Sequence, residues 1–120
     1  MSKGNWFETR RGAYDLRTVA VTANYTVRTG GSTYNFIEDR VLKVTTTSGT
    51  NIAITLSDGT YSGQRILIIF DTEGNNETVT VTPDTAVTTA NYSLSQENDY
   101  CSLEWIDSTI GWVFLKELTT

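Results

Sequence analysis

The stretch Arg65-Ile-Leu-Ile-Ile-Phe-Asp71 decides the fold. Every position from Ile66 to Phe70 is apolar, so a strand there is apolar on both faces. That is the pattern of a central strand covered on both sides, or covered on one side by a neighbouring subunit. On its N-terminal side Ile52, Ala53, Ile54 and Leu56 form a strand with one strongly apolar face, turned by Ser57-Asp58-Gly59. On its C-terminal side the turn Glu73-Gly-Asn-Asn76 leads into Thr78-Val-Thr-Val-Thr82, whose period of two sends Val79 and Val81 inward and the threonines outward. Pro83 ends that strand.

Further out the same grammar continues. After a looser stretch from Asp84 to Ala90 come Tyr92 to Leu94, the acidic turn Gln96 to Asp99, and a closing hairpin of Tyr100-Cys-Ser-Leu-Glu-Trp105 and Gly111-Trp-Val-Phe-Leu115. Cys101, Leu103 and Trp105 share one face of this hairpin and Trp112 and Phe114 another. Pointed inward, each large ring buries roughly 150 to 250 Å², which makes the hairpin the expected stability centre. Upstream, Leu16 to Val27 reads as a first strand with a break near Asn24, followed by the Thr29 to Ser32 turn. Tyr34 to Ile37 reads as a short strand or edge, and Arg40 to Thr46 as another strand. No stretch has a helical period, and the abundant threonine, valine, isoleucine and tyrosine suit pleated, half-buried surfaces. The expected fold is all-β: an antiparallel β-sandwich or small jelly-roll-like β-barrel over residues 16–120, preceded by an extended N-terminal arm over residues 1–15.

Size and charge narrow the function. The 120 residues, 38% hydrophobic, suffice for one domain with a modest core. A formal charge of −5 argues against nucleic-acid binding, which needs a basic surface. From Met1 to Arg17, however, Lys3, Arg10, Arg11 and Arg17 outnumber Glu8 and Asp15, leaving +2 there and −7 in the rest. Within this arm Trp6, Phe7 and Tyr14 are large aromatics with no alternating pattern around them. Trp6 and Phe7 beside Arg10 and Arg11 have the character of an interface anchor, and the alternative is that the rings fold back on their own domain. The single cysteine, Cys101, excludes an internal disulfide and reads as core packing in a protein assembled in a reducing cytoplasm. No signal-peptide-like apolar run and no segment of membrane-spanning length is present, so neither export nor a membrane partner is expected.

Candidate catalytic chemistry is sparse. The chain has no histidine, which removes the usual general base, the commonest metal ligand and every Ser-His or Cys-His triad. Asp71, Glu73, Asp99, Glu104 and Asp107 could supply a glycosidase pair, but they fall at turns and strand ends with no pair fixed at the required separation. Asp71-Thr-Glu73-Gly-Asn75-Asn-Glu77 spaces oxygen ligands as calcium loops do, yet lacks the terminal bidentate glutamate and has its glycine at the wrong position, so a polar hairpin loop is the better reading. Tyr25, Tyr34, Tyr61 and Tyr92 are either a sugar-binding platform or routine strand packing. The three Asn-x-Ser/Thr tripeptides are chance matches in a chain this rich in Ser and Thr. The chain is expected to be no enzyme, with no cofactor and no metal.

The order Leu56-Ser-Asp-Gly-Thr-Tyr-Ser-Gly-Gln64-Arg-Ile-Leu-Ile, then Thr78-Val-Thr-Val-Thr82, then Tyr100-Cys-Ser-Leu-Glu-Trp105 and Gly111-Trp-Val-Phe-Leu115 resembles small β-structured virion proteins of tailed bacteriophages. The resemblance covers roughly residues 50–116 and carries no catalytic residues. It implies a capsid decoration, or head cement, protein that binds the outer surface of a phage capsid and stabilises it by cross-linking capsid subunits, or else a carbohydrate- or receptor-binding domain of a tail or head fibre. It further implies a homotrimer, with the major capsid protein as partner, located on the virion exterior after assembly in the host cytoplasm. On this reading Trp6, Phe7, Arg10, Arg11 and Tyr14 form the capsid-binding arm, and Ile66, Ile68 and Phe70 are the self-association residues.

Overall fold

A computed structural model describes residues 18–27, 41–86 and 91–118. Among the described residues nine strands run in chain order: β1 (Thr18–Val21), β2 (Tyr25–Val27), β3 (Val41–Thr45), β4 (Ile52–Leu56), β5 (Arg65–Thr72), β6 (Val79–Pro83), β7 (Tyr92–Leu94), β8 (Tyr100–Trp105) and β9 (Trp112–Leu118). They form two sheets, A with order β1-β3-β5-β8-β9 and B with order β2-β4-β6-β7.

The two-sheet, all-β architecture agrees with the sequence reading; the pairing does not. β1, β3 and β5 are parallel neighbours in sheet A, and β2, β4 and β6 are parallel neighbours in sheet B. The chain therefore alternates between the sheets, β1 to β2, β3 to β4, β5 to β6, and each coil lays one strand beside its predecessor in both. Only the last three strands reverse: β7 is antiparallel to β6, and β8 and β9 are antiparallel in sequence after β5. The sheets are mixed and do not close into a barrel, which corrects the antiparallel and barrel or jelly-roll expectation. Alternation sorts side chains to faces and is blind to which neighbour a strand pairs with.

Two asparagines hold the coils in step. Asn24, immediately before β2, accepts the Ala53 N–H through Oδ1 at 2.9 Å, and Asn51, immediately before β4, accepts the Thr78 N–H at 2.9 Å. Each occupies the corner where the chain enters sheet B and satisfies a backbone donor of the next coil. The break expected near Asn24 is this corner: the segment read as one strand is two, one in each sheet.

Between the sheets the inward residues of the described strands form one core, including Val21, Leu42, Val44, Ile54, Leu56, Phe70, Val81, Leu94, Leu103, Trp105 and Trp112. The closing hairpin supplies its two tryptophans, packed edge to face with ring centroids 5.6 Å apart. Trp112 also ties the sheets together, donating from its indole Nε1 to the Ser57 carbonyl at 2.8 Å and from its backbone N–H to Thr85 O at 2.9 Å. At the edge, Tyr92 of β7 packs on Phe114 of β9. The hairpin turn is shaped by Asp107, whose Oδ1 accepts the N–H groups of Thr109 and Ile110 at 2.9 and 2.7 Å. Gly111 follows with φ +82°, and a Cβ there would collide with Thr85 O, so both conformation and space require glycine.

Candidate interaction surfaces

The expected arm residues Trp6, Phe7, Arg10, Arg11 and Tyr14, and the expected strand Tyr34 to Ile37, lie outside the described residues. The expected self-association residues lie inside them and are buried. Ile66, Ile68 and Phe70 are 3%, 0% and 0% exposed and belong to the core of their own chain. The strand is central, as its composition demanded, but its other apolar face is not sealed: Leu67 and Ile69 point away from the core and are half-buried. All described strands belong to the two sheets, so none forms a third layer over that face.

The register draws this outer face. One row crosses sheet A as Thr18, Val41, Leu67 and Ser102, and the next as Ala20, Lys43, Ile69 and Tyr100. Arg65 and Glu104 face each other one row further along, joined from Nε to Oε1 at 2.9 Å, with the arginine side chain 68% exposed. At the other end of β5, Asp71 sits where the pairing with β3 shifts register, half-buried, and accepts the Thr72 hydroxyl at 3.3 Å. The outer face of sheet B is different in kind. Its rows are Thr26, Thr55, Thr82 and Ala53, Thr80, Ser93.

The carboxylates singled out in the sequence serve the loops. Glu77 is 2% exposed and accepts the Asn75 N–H at 2.6 Å, the Gly49 N–H at 2.9 Å and the Thr46 hydroxyl at 2.9 Å. The Asn75 bond leads in holding its pKa below the ordinary carboxylate value, helped by Gly49 and Thr46, while burial opposes the shift. Thr46 Oγ1 in turn accepts the Gly74 N–H at 3.0 Å. The would-be calcium loop is a polar connection folded around a carboxylate whose oxygens already face donors, and it is not the hairpin expected, because it carries the chain from β5 in sheet A to β6 in sheet B; no group of three or more metal-ligating side chains gathers among the described residues. Asp99, 1% exposed, likewise accepts the Ser95 and Gln96 N–H groups through Oδ2 at 2.9 and 3.1 Å. Glu73 and Glu97 each accept the other's backbone N–H, at 3.3 and 3.1 Å.

Other candidates resolve the same way. Burial, with Glu117 nearby, pushes the Cys101 thiol up to about 12, so it stays protonated and packs as a small apolar side chain. Tyr25 and Tyr92 occupy opposite edge strands of sheet B at core-facing positions, and Tyr61 stands alone on its turn at 46% exposure, so the described tyrosines do not form one platform. The Gly63-Gln64 element of the resemblance is structural. Gln64 is fully buried, its Oε1 accepts the Thr60 N–H, and Gly63 N–H and Gln64 O bind the backbone of Trp105 at 2.9 and 2.8 Å. Sequence reading missed Leu67 and Ile69 as surface residues; the signal was present in the apolar run itself, which is apolar on whichever face turns outward.

No protein-family model matches the chain, and no curated protein matches it.

Proposed function

We propose that the chain is a non-enzymatic structural virion protein that binds the outer surface of a phage capsid and stabilises it by cross-linking capsid subunits. The observation that carries this reading is where the polar chemistry has gone. The buried carboxylates Glu77 and Asp99 are consumed in holding loops and the one thiol is shut in the core, so the body presents sheet faces and turns to its surroundings. Sheet faces and turns suit adhesion. The sequence resemblance supplies the partner, the major capsid protein, and the arm residues Trp6, Phe7, Arg10, Arg11 and Tyr14 supply the contact. Many weak contacts of this kind, repeated over a capsid lattice, add by multivalency. A fibre domain that binds a carbohydrate or receptor is the second reading. It is favoured by the coil-wise winding, because stacked coils with parallel neighbours extend naturally along an axis.

Co-sedimentation of the full chain with phage capsids from the same source tests the first reading. The wild type is expected to pellet with capsids, and a chain carrying alanine at Trp6, Phe7, Arg10 and Arg11 to remain in the supernatant while keeping its circular dichroism. Equal binding by both proteins rejects the arm. Glycan binding by a wild-type chain that ignores capsids favours the fibre.

A further inference from the structure

We propose that the outer face of sheet A is a self-association surface on which a second copy of this chain packs. The two β5 strands run antiparallel, Leu67 and Ile69 of both copies meet at the centre, and Arg65 of one copy stands over Asp71 of the other. This inference goes beyond the capsid reading and does not depend on what the arm binds.

The outer faces of the two sheets contrast. At equivalent outward positions of its central strands, sheet B places Thr55, Thr80 and Thr82, whereas sheet A places Leu67 and Ile69. Threonine satisfies a pleated surface and water together; half-buried Leu67 and Ile69 leave part of their apolar surface uncovered by the sheet. Val41 and Tyr100 flank them on β3 and β8, so the apolar character spreads across three strands. The long stem of Lys43, level with Ile69, adds aliphatic area and can carry its ammonium to the rim.

Charge selects the occupant. At every second residue β5 carries Arg65, Leu67 and Ile69, and Asp71 follows at the register shift: a cation, two apolar residues and an anion. Such a row is complementary to itself when reversed. A two-fold axis in the interface plane, across the strands and between Leu67 and Ile69, places two Arg65–Asp71 pairs at the ends and four branched side chains between them. This is the isologous contact that a two-fold dimer requires, and face-to-face sheets accept it at the usual spacing of about 10 Å. In a parallel pair or three-fold ring with strands level, Arg65 meets Arg65 and Asp71 meets Asp71, so the homotrimer implied by the resemblance is the competing arrangement. Glu104 does not compete for all of Arg65, because its contact uses Nε on one side of a guanidinium with five donors.

Sedimentation equilibrium on the full chain decides the matter. The wild type is expected to show twice the chain mass at tens of micromolar, and Ile69→Asp to run as a monomer with unchanged circular dichroism. The charge pairs have a sharper test. Arg65→Asp alone and Asp71→Arg alone should each weaken self-association by roughly tenfold or more, since each homodimer then opposes like charges twice. Mixing the two variants should restore a dimer, because both contacts become complementary again, and strong salt should narrow the difference. A wild type that is monomeric at every concentration overturns the surface. A trimeric mass, or a mixture that fails to recover, overturns the antiparallel arrangement.

Discussion

The outer faces of the two sheets are products of one winding, yet they differ in everything except geometry. Both back onto the same core, and both are built from parallel neighbours brought into register by successive coils. Sheet B turns out rows of threonine with alanine and serine, sheet A a patch of valine, leucine, isoleucine and tyrosine flanked by Arg65, Lys43 and Asp71. The inner positions are constrained by packing and are alike in the two sheets. The outer positions are free of that constraint, and under the proposed self-association their divergence reflects what each face meets: water for the threonine rows, a second copy for the apolar patch.

The largest expected effect removes what the faces share. Trp112 belongs to sheet A, but its indole N–H binds the carbonyl of Ser57, just beyond β4 of sheet B, and its ring packs on Trp105. Trp112→Ala should cost about 3–5 kcal/mol through the cavity and the lost packing, and should leave Ser57 O without that donor. Urea denaturation followed by near-ultraviolet circular dichroism would show a collapsed midpoint and a weakened aromatic signal. If the midpoint barely moves, the two sheets are not held together at this point and the faces behave as independent units.

How far such reasoning reaches into the sequence can be judged residue by residue. The strands at Ile52–Leu56, Arg65–Thr72, Val79–Pro83 and Tyr100–Trp105 were legible because alternation and turn residues act within a few residues of one another. Parallel pairing was not, because Val41 meets Leu67, and Ile54 meets Val81, across a whole coil of chain whose residues share no obvious repeat. One signal did exist: Asn24, Asn51 and Thr78 are evenly spaced, and each stands immediately before a strand of sheet B. The residues expected to self-associate, Ile66, Ile68 and Phe70, lie on the core-facing side of their strand. Where both faces are apolar, the period of two separates Ile66, Ile68 and Phe70 from Leu67 and Ile69 without saying which set turns inward; the bulkier set, with phenylalanine, fills the space between the sheets. The burial of Glu77 and Asp99 was equally hidden, since their partners are backbone N–H groups that every residue except proline possesses.

A smaller effect concerns the loops at one end of the coils, where Glu77 of the loop before β6 in sheet B reaches Thr46, immediately after β3 of sheet A. Its pKa is lowered in the folded protein, chiefly by the Asn75 N–H. A lowered folded pKa means that the stabilisation is fully present above the unfolded value of 4.5 and is lost as pH falls through the folded value. Urea midpoints measured at descending pH should therefore fall for the wild type below about pH 5, and fall less steeply for Glu77→Gln, which starts from a lower midpoint at neutral pH. Parallel curves for the two proteins would show that Glu77 does not link the loops.

The smallest effect on stability is also the most discriminating for the two faces. Ile69→Ser and Thr55→Val exchange, one position at a time, the character of the two outer surfaces on central strands of their sheets. Neither side chain is in the core, so both changes should stay within about 1 kcal/mol of the wild type, with Thr55→Val near 0.5 kcal/mol or less. Their effects on self-association should nevertheless part company. Ile69→Ser removes a branched apolar side chain from the centre of the proposed contact and should shift the monomer–dimer balance towards monomer. Thr55→Val adds an apolar methyl to a face with no complementary charge row and should leave the mass unchanged. If Thr55→Val drives association as strongly as Ile69→Ser abolishes it, the faces differ only in stickiness and the row from Arg65 to Asp71 has no part in choosing the partner.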